Sequence, residues 1–228
     1  MPSSEGGAVL AKTRIIFSKT GNIRFISHLD TMRTITRAFT RAGVALKYSE
    51  GFNPHAQLSI AIPLSVGSES VCEILDIELK GEQDMKAIPA RLNPFFPAGI
   101  SALEIYPAER KPSEVAWIEV MIKIMYEGKP EDKIAGAFSE YLASESIVIV
   151  KKTKRGSAET DIVPMMRDIS VTEEDNSVVI NLKVSAQNPS LNPSYVVKAL
   201  GEKFPELISG RHLIRRLELF DKDMSVFR

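Results

Sequence analysis

The order in which hydrophobic periodicity changes along this chain constrains its fold more than any single motif. Residues 14–18 and 22–27 read as strands, centred on Ile16 and on the alternating Ile23 and Phe25. From 29 to 42 the period lengthens: Leu29, Met32, Ile35, Phe39 and Ala42 share one helical arc, which opens after Ser27 and His28 and stops at Gly43. Strand-like pieces follow at 45–49, 57–63 and 71–79, a short amphipathic helix at 85–92, and a strand at 100–106. The order β-α-β-β-α-β is that of a ferredoxin-like domain.

The second half repeats that order. Residues 117–126 alternate through Ile118, Val120, Ile122 and Ile124, and Pro130 is expected to open a helix carrying Ile134, Phe138 and Leu142 on its apolar face. A strand at 147–152, a hairpin of 161–171 with 177–185, a helix from Asn192-Pro193 to Phe204 and a last strand at 212–220 complete it. The expected architecture is α+β: two tandem ferredoxin-like domains, the second with an extra strand. The proline-bracketed, charged stretch PAERKPS marks the boundary, giving a disordered leader at 1–12, an N-terminal domain at 13–107, a linker at 108–113 and a C-terminal domain at 114–228.

Composition removes several chemistries. The single cysteine, Cys72, excludes a disulfide framework, a thiolate zinc site built within the chain and the three-cysteine cradle of an iron–sulfur cluster. No apolar run approaches the length of a membrane-spanning helix, and residues 1–12 lack the apolar core of a secretory signal, so a cytoplasmic protein with no membrane partner is expected. No Walker loop, GxGxxG, HExxH or GxSxG occurs, and no cofactor is expected.

Net charge is zero, with 29 basic and 29 acidic residues, but the signs are segregated. Between Lys12 and Lys47 the cations Lys12, Arg14, Lys19, Arg24, Arg33, Arg37, Arg41 and Lys47 face one acid, Asp30, whereas the stretch from Glu69 to Lys86 is net acidic. Arg33, Arg37 and Arg41 recur every four residues and form a stripe along the first helix. Guanidinium forks suit phosphate oxygens, and Lys19 and Arg24 are expected nearby; an ordinary solvated helix face explains the same stripe. Ser27 and His28 stand at the helix start, where backbone N–H groups favour an anion. In Tyr48-Ser49-Glu50-Gly51-Phe52-Asn53-Pro54-His55, Gly51, Asn53 and Pro54 bend the chain, while Phe52 either stacks a base or plugs the core. Tyr48, His55 and Asp30 complete the expected pocket, and His28 with His55 is the candidate acid–base pair, although helix capping is the commoner role for a residue at such a turn. Lys151, Lys152, Lys154 and Arg155 offer a second phosphate contact or a solvated hairpin tip.

The stretches FSKTGNIRFISHLDTMRTITRAFTRAG and YSEGFNPHAQLSIAIPLSVGSESVCEILDIEL, with the later KKTKRG and DIVP, resemble the bacterial radical SAM-linked conserved hypothetical proteins. That resemblance implies a domain found alone or fused behind a radical SAM enzyme, in gene neighbourhoods near ribonuclease E/G and large-subunit ribosomal proteins. Because this chain lacks CxxxCxxC, such an enzyme would be a separate polypeptide. The leading expectation is an RNA-binding accessory module acting with that enzyme in RNA or ribosome maturation. The alternatives are a module that docks the enzyme without RNA, and a metal-independent ribonuclease using His28 and His55.

Overall fold

A computed structural model describes residues 12–127, 133–153, 156–208 and 211–228. The chain is a mixed α+β protein that divides into two compact units, one of 1–66, 73–111 and 228, the other of 67–72 and 112–227.

The first unit contains β1 (Thr13–Lys19), α1 (His28–Arg41), β2 (Leu58–Ala61), most of β3 (Glu69–Ile77), α2 (Ile88–Leu92) and β4 (Ile100–Pro107). Its strands lie in the order β4-β1-β3-β2, with β1 and β4 antiparallel and β2 antiparallel to β3. Segment 45–48 extends this pairing: the Lys47 N–H donates to the Glu78 carbonyl and the Lys80 N–H to the Ala45 carbonyl. Alternation on the strands and the arc on α1 bury Ile15, Phe17, Ile35, Phe39, Leu75 and Ile77 in one core. Each such side chain contributes about 1.5–3 kcal/mol by leaving water.

The second unit contains β5 (Trp117–Met125), α3 (Ile134–Leu142), β6 (Val148–Thr153), β7 (Gly156–Asp161), β8 (Met166–Glu174), β9 (Ser177–Ser185), α4 (Ser194–Lys203) and β10 (His212–Phe220). Strands β10-β5-β9-β8 form one antiparallel run, and β6 pairs with β7 as a separate ribbon. Residues 69–70 at the start of β3 pair in parallel with Arg215 and Arg216 of β10. There Arg215 sets Nε and Nη2 against one oxygen of Glu69, at 2.8 and 2.6 Å, while Arg216 is buried on the other face. Phe138 of α3 meets Phe204 beyond α4 with ring centroids 5.4 Å apart.

Three local expectations are revised. Residues 22–27 are not a strand: Gly21–Phe25 is a 3-10 turn entered at Gly21 with φ +65°. Among the described residues the second unit has six strands of its own, because the polar GSAETD forms β7 without the apolar alternation that announces a strand. The hairpin strand expected from 161 begins at Met166, after a 3-10 turn at Val163–Met165. Pro130 and the leader at 1–11 lie outside the described residues. No helix among the described residues is long and apolar enough to cross a membrane.

Candidate functional site

The site begins at the turn that launches α1. Lys19 is only 3% exposed, and its ammonium donates to the carbonyls of Ile26 at 3.0 Å and Arg24 at 3.4 Å, closing the 3-10 turn from inside. Burial pushes its pKa down, against the opposing field of buried Glu73. The Thr20 N–H donates to the Gly99 carbonyl at 2.8 Å; Gly99 has φ +95°, and a Cβ there would collide with the Thr20 carbonyl oxygen. Ser27 then caps the helix. Its hydroxyl accepts the Asp30 N–H at 3.1 Å and donates to Asp30 Oδ2 at 2.7 Å, a reciprocal arrangement that satisfies an otherwise orphaned helix donor. The Ser27 hydroxyl, and secondarily Arg33, hold the Asp30 carboxyl below the usual carboxylate range. His28 is the first helical residue and is exposed.

Along α1, Arg33, Arg37 and Arg41 are all exposed. Arg33 reaches back to Asp30 at 3.3 Å in an open i,i+3 pair, a type worth about 0–1 kcal/mol. Arg37 and Arg41 form no ion pair with a described residue.

Opposite this helix runs the 48–58 segment, and the two enclose a groove of about 470 Å³. Leu29, Met32, Arg33, Thr36 and Arg37 form one wall; Tyr48, Pro54, His55, Ala56 and Leu58 form the other. The second wall is a closed loop. The Ser49 N–H donates to the His55 carbonyl at 2.9 Å, and the His55 N–H donates to Ser49 Oγ at 3.1 Å. Ser49 Oγ also lies 3.0 Å from His55 Nδ1; in the tautomer where the hydroxyl donates to Nδ1, the ring N–H is on Nε2. Gly51, at φ +118°, makes the tip possible, and Phe52 next to it is fully exposed, so it does not plug the core. Gly51 and Asn53 shape the loop without lining the groove; the Asn53 carbonyl lies 3.5 Å from His55 Nδ1 and accepts from it only in the other tautomer, with the proton on Nδ1. The arrangement presents two guanidiniums, an aromatic ring and an imidazole across an apolar floor, a set suited to an anionic ligand with planar rings.

The structure withdraws other cations from this role. Lys19 is the main correction: its ammonium is used internally and cannot reach a phosphate. Arg14 is wholly buried, with Nε and Nη2 on Asp76 at 2.6 and 3.0 Å, and Lys47 lies 3.3 Å from Glu78. Arg24 is half-buried, stacks on Phe25 at 4.7 Å from its centroid and does not line the groove, so its charge stands beside the helix start and not in the site. His28 does not line the groove, so the groove does not join it to His55. Lys151, in the second unit, donates to the Ser190 carbonyl at 2.8 Å and sits 5.9 Å from the Tyr195 ring centre. Lys154 and Arg155 lie outside the described residues, as does the side chain of Lys152. Leu29, Met32, Thr36, Ala56 and Leu58 line the groove without being expected in the site; Leu29 and Met32 were legible only as core positions on the helical arc.

No curated protein matches the chain. Among solved structures, it is similar to a chain in a crystal structure of a Cbf5-Nop10-Gar1 complex, with 16% identity and a TM-score of 0.46 over 92% of this chain and 50% of that one. It is also similar to a chain of an H/ACA RNP bound to a substrate RNA containing 2'-deoxyuridine, at 11% identity and a TM-score of 0.44, over 96% and 51%. The chain thus spans about half the length of either. A family model matches residues 12–193, from the first described residue to the start of α4, and takes in both walls of the groove. The chain therefore belongs to the family described as an uncharacterized protein conserved in bacteria, DUF2344.

Proposed function

We propose that the protein is a single-stranded RNA-binding accessory module whose binding surface is the α1 groove. The observation that carries this reading is the pairing of opposed walls: Arg33 and Arg37 on the helix, and the exposed ring of Tyr48 with His55 on the loop. Phosphates would lie along the arginines, continuing to Arg41, while a base stacks on Tyr48 and a flanking base meets Phe52. Ser27 and Asp30 fix the helix start, and Gly51, Asn53 and Pro54 shape the loop. Arg24 adds charge beside the helix start, whereas any contribution from Lys151, Lys152, Lys154 and Arg155 concerns the second unit alone.

The fold reading that accompanies this proposal is two ferredoxin-like domains joined through 108–113. Its support is the shared strand pattern: with strands numbered within each unit, and the β6–β7 ribbon set aside as an insertion, both follow the order 4-1-3-2. A cytoplasmic location goes with an RNA partner. A separate radical SAM enzyme as the source of chemistry rests on the sequence resemblance alone.

Fluorescence anisotropy with a labelled single-stranded RNA tests the reading. Wild type is expected to bind, and Arg33→Glu/Arg37→Glu is expected to weaken binding about tenfold or more at moderate salt. Equal affinity of the two proteins would reject the groove as the RNA site.

A second reading, docking of a protein partner at the same surface, is favoured by the exposure of Phe25, Leu29 and Phe52, at 59%, 65% and 110%. It predicts co-purification of the enzyme after ribonuclease treatment. The ribonuclease alternative predicts that His28→Ala/His55→Ala abolishes cleavage of a labelled RNA, and an unchanged rate would eliminate it.

A further inference from the structure

The first unit has a second and larger hollow beyond Tyr48. It measures about 1100 Å³, against about 470 Å³ for the α1 groove, and Tyr48 lines both. Its floor is apolar, made by Val44, Leu46 and Leu79. Its charged lining consists of Lys12, Lys47 and Lys80 against a single acid, Glu78. Glu78 is already engaged by Lys47 at 3.3 Å, whereas Lys80 is exposed and has no ion-pair partner among the described residues. The walls are held by backbone pairing between 45–47 and 78–80, and the Gln83 side chain clamps Ala45 on both its N–H and its carbonyl. A cavity in the size range of ligand sites, with apolar walls and a cationic lining, takes an anion that carries flat apolar rings.

We infer that single-stranded RNA lying in the α1 groove continues past Tyr48 into this cavity, with Lys80 taking a phosphate and the apolar floor receiving a base. The inference rests on the RNA reading of the α1 groove and extends it to a two-subsite path divided by one aromatic ring. Tyr48 is 48% exposed and stands where the two hollows meet, so a base stacked on it has room for a neighbouring nucleotide on either side. Excess lysine supplies the charge complementarity; electrostatics hold the strand to the site and stacking sets where its bases rest.

The experiment compares a uridine trinucleotide with a uridine nonanucleotide on the full chain. The trinucleotide is short enough to sit on the α1 groove alone, and the nonanucleotide spans both subsites. Wild type is expected to bind the longer oligomer about tenfold or more tightly than the shorter, with a steeper salt dependence. Lys80→Glu removes one phosphate contact, and Ala45→Trp fills the cavity while leaving the backbone clamp in place; each is expected to abolish most of that length-dependent gain. If both folded variants keep the wild-type gain, the second subsite is wrong while the α1 groove reading stands. If wild type binds neither oligomer, the α1 reading itself fails. Should Ala45→Trp not fold, as judged by its thermal transition, Lys80→Glu alone decides.

Discussion

Two sets of basic residues lie close together in sequence within the first unit, and the structure treats them in opposite ways. Arg14 and Lys19, both on β1, are buried; Arg14 is held by Asp76 of β3, and Lys19 lies in the field of Glu73 and is used to close a turn. Arg33, Arg37 and Arg41, on α1, face outward, and among the described residues only Arg33 has a carboxylate within reach. The acidic residues of β3 therefore balance the strand cations, whereas on α1 Arg37 and Arg41 have no ion-pair partner among the described residues. Cationic composition in this chain has two meanings: on β1 it builds the scaffold, and on α1 it creates a surface field available to a polyanion.

The sharpest way to break this contrast is to remove one half of a buried pair. Arg14→Ala or Asp76→Ala leaves a charge without its partner in a dry site and is expected to lower unfolding stability by about 3–5 kcal/mol, read from urea denaturation. The joint replacement Arg14→Met/Asp76→Leu is expected to recover most of that loss, because it removes both charges together. If the single variants proved as stable as wild type, the buried pair would have no scaffold role.

Lys19→Met comes next. It strips two carbonyls of their donor and is expected to cost about 2–3 kcal/mol. The same residue gives a pH signature of defined sign. Because burial lowers its folded pKa below the ordinary value of 10.5, the unfolded chain binds more protons between those two points. The Lys19 contribution to stability therefore rises as pH climbs through that window, and wild type minus Lys19→Met isolates it. A difference that falls with pH there would contradict the assigned cause.

On α1 the expectation reverses. Arg37→Glu/Arg41→Glu should alter stability by no more than about 0.5 kcal/mol per site, since neither guanidinium has a described ion-pair partner, while RNA affinity falls about tenfold. A large loss of stability would return these arginines to the scaffold class.

The smallest effect belongs to Asp30. Its folded pKa is depressed by the Ser27 hydroxyl and then by Arg33, so its contribution is present above the unfolded value of 3.8 and is lost as pH falls through the lower folded value. Asp30→Asn is expected to remove that acid-limb sensitivity from the thermal transition of wild type. An unchanged acid limb in the variant would show that Asp30 has no linked role in capping.

Much of this was legible in the sequence because it is local. The helix expected at 29–42 is α1 at His28–Arg41, and the strand expected at 212–220 is β10 to the residue, since periodicity is enforced by burial against one core. The Ser27 cap and the Gly51 bend were likewise readable from residue type. The misreadings share a different origin. Ile23 and Phe25 alternate like a strand, yet an ammonium reaching from Lys19 wraps that segment into a 3-10 turn. The fate of Arg14 depends on Asp76, 62 residues away, and no local pattern distinguishes it from Arg37. Tyr48 and His55 were expected in the site, but their position across from Arg33 and Arg37 follows from how 48–58 folds back against α1. Met32 illustrates the remaining limit: it shares the helical arc of Ile35 and Phe39, yet it is only partly buried and lines the groove, because a residue at the edge of an arc can face the rim instead of the core.

The central claim is that the uncompensated arginine edge of α1 binds the phosphates of single-stranded RNA. The salt dependence of RNA affinity tests it most directly. On an RNA short enough to occupy the α1 groove alone, three phosphate contacts, by Arg33, Arg37 and Arg41, predict that log affinity falls against log salt with a slope of about −2, and that Arg37→Glu/Arg41→Glu reduces the slope to about −0.7 or less in magnitude. A flat response in wild type, or a slope that the double variant leaves unchanged, would contradict the account.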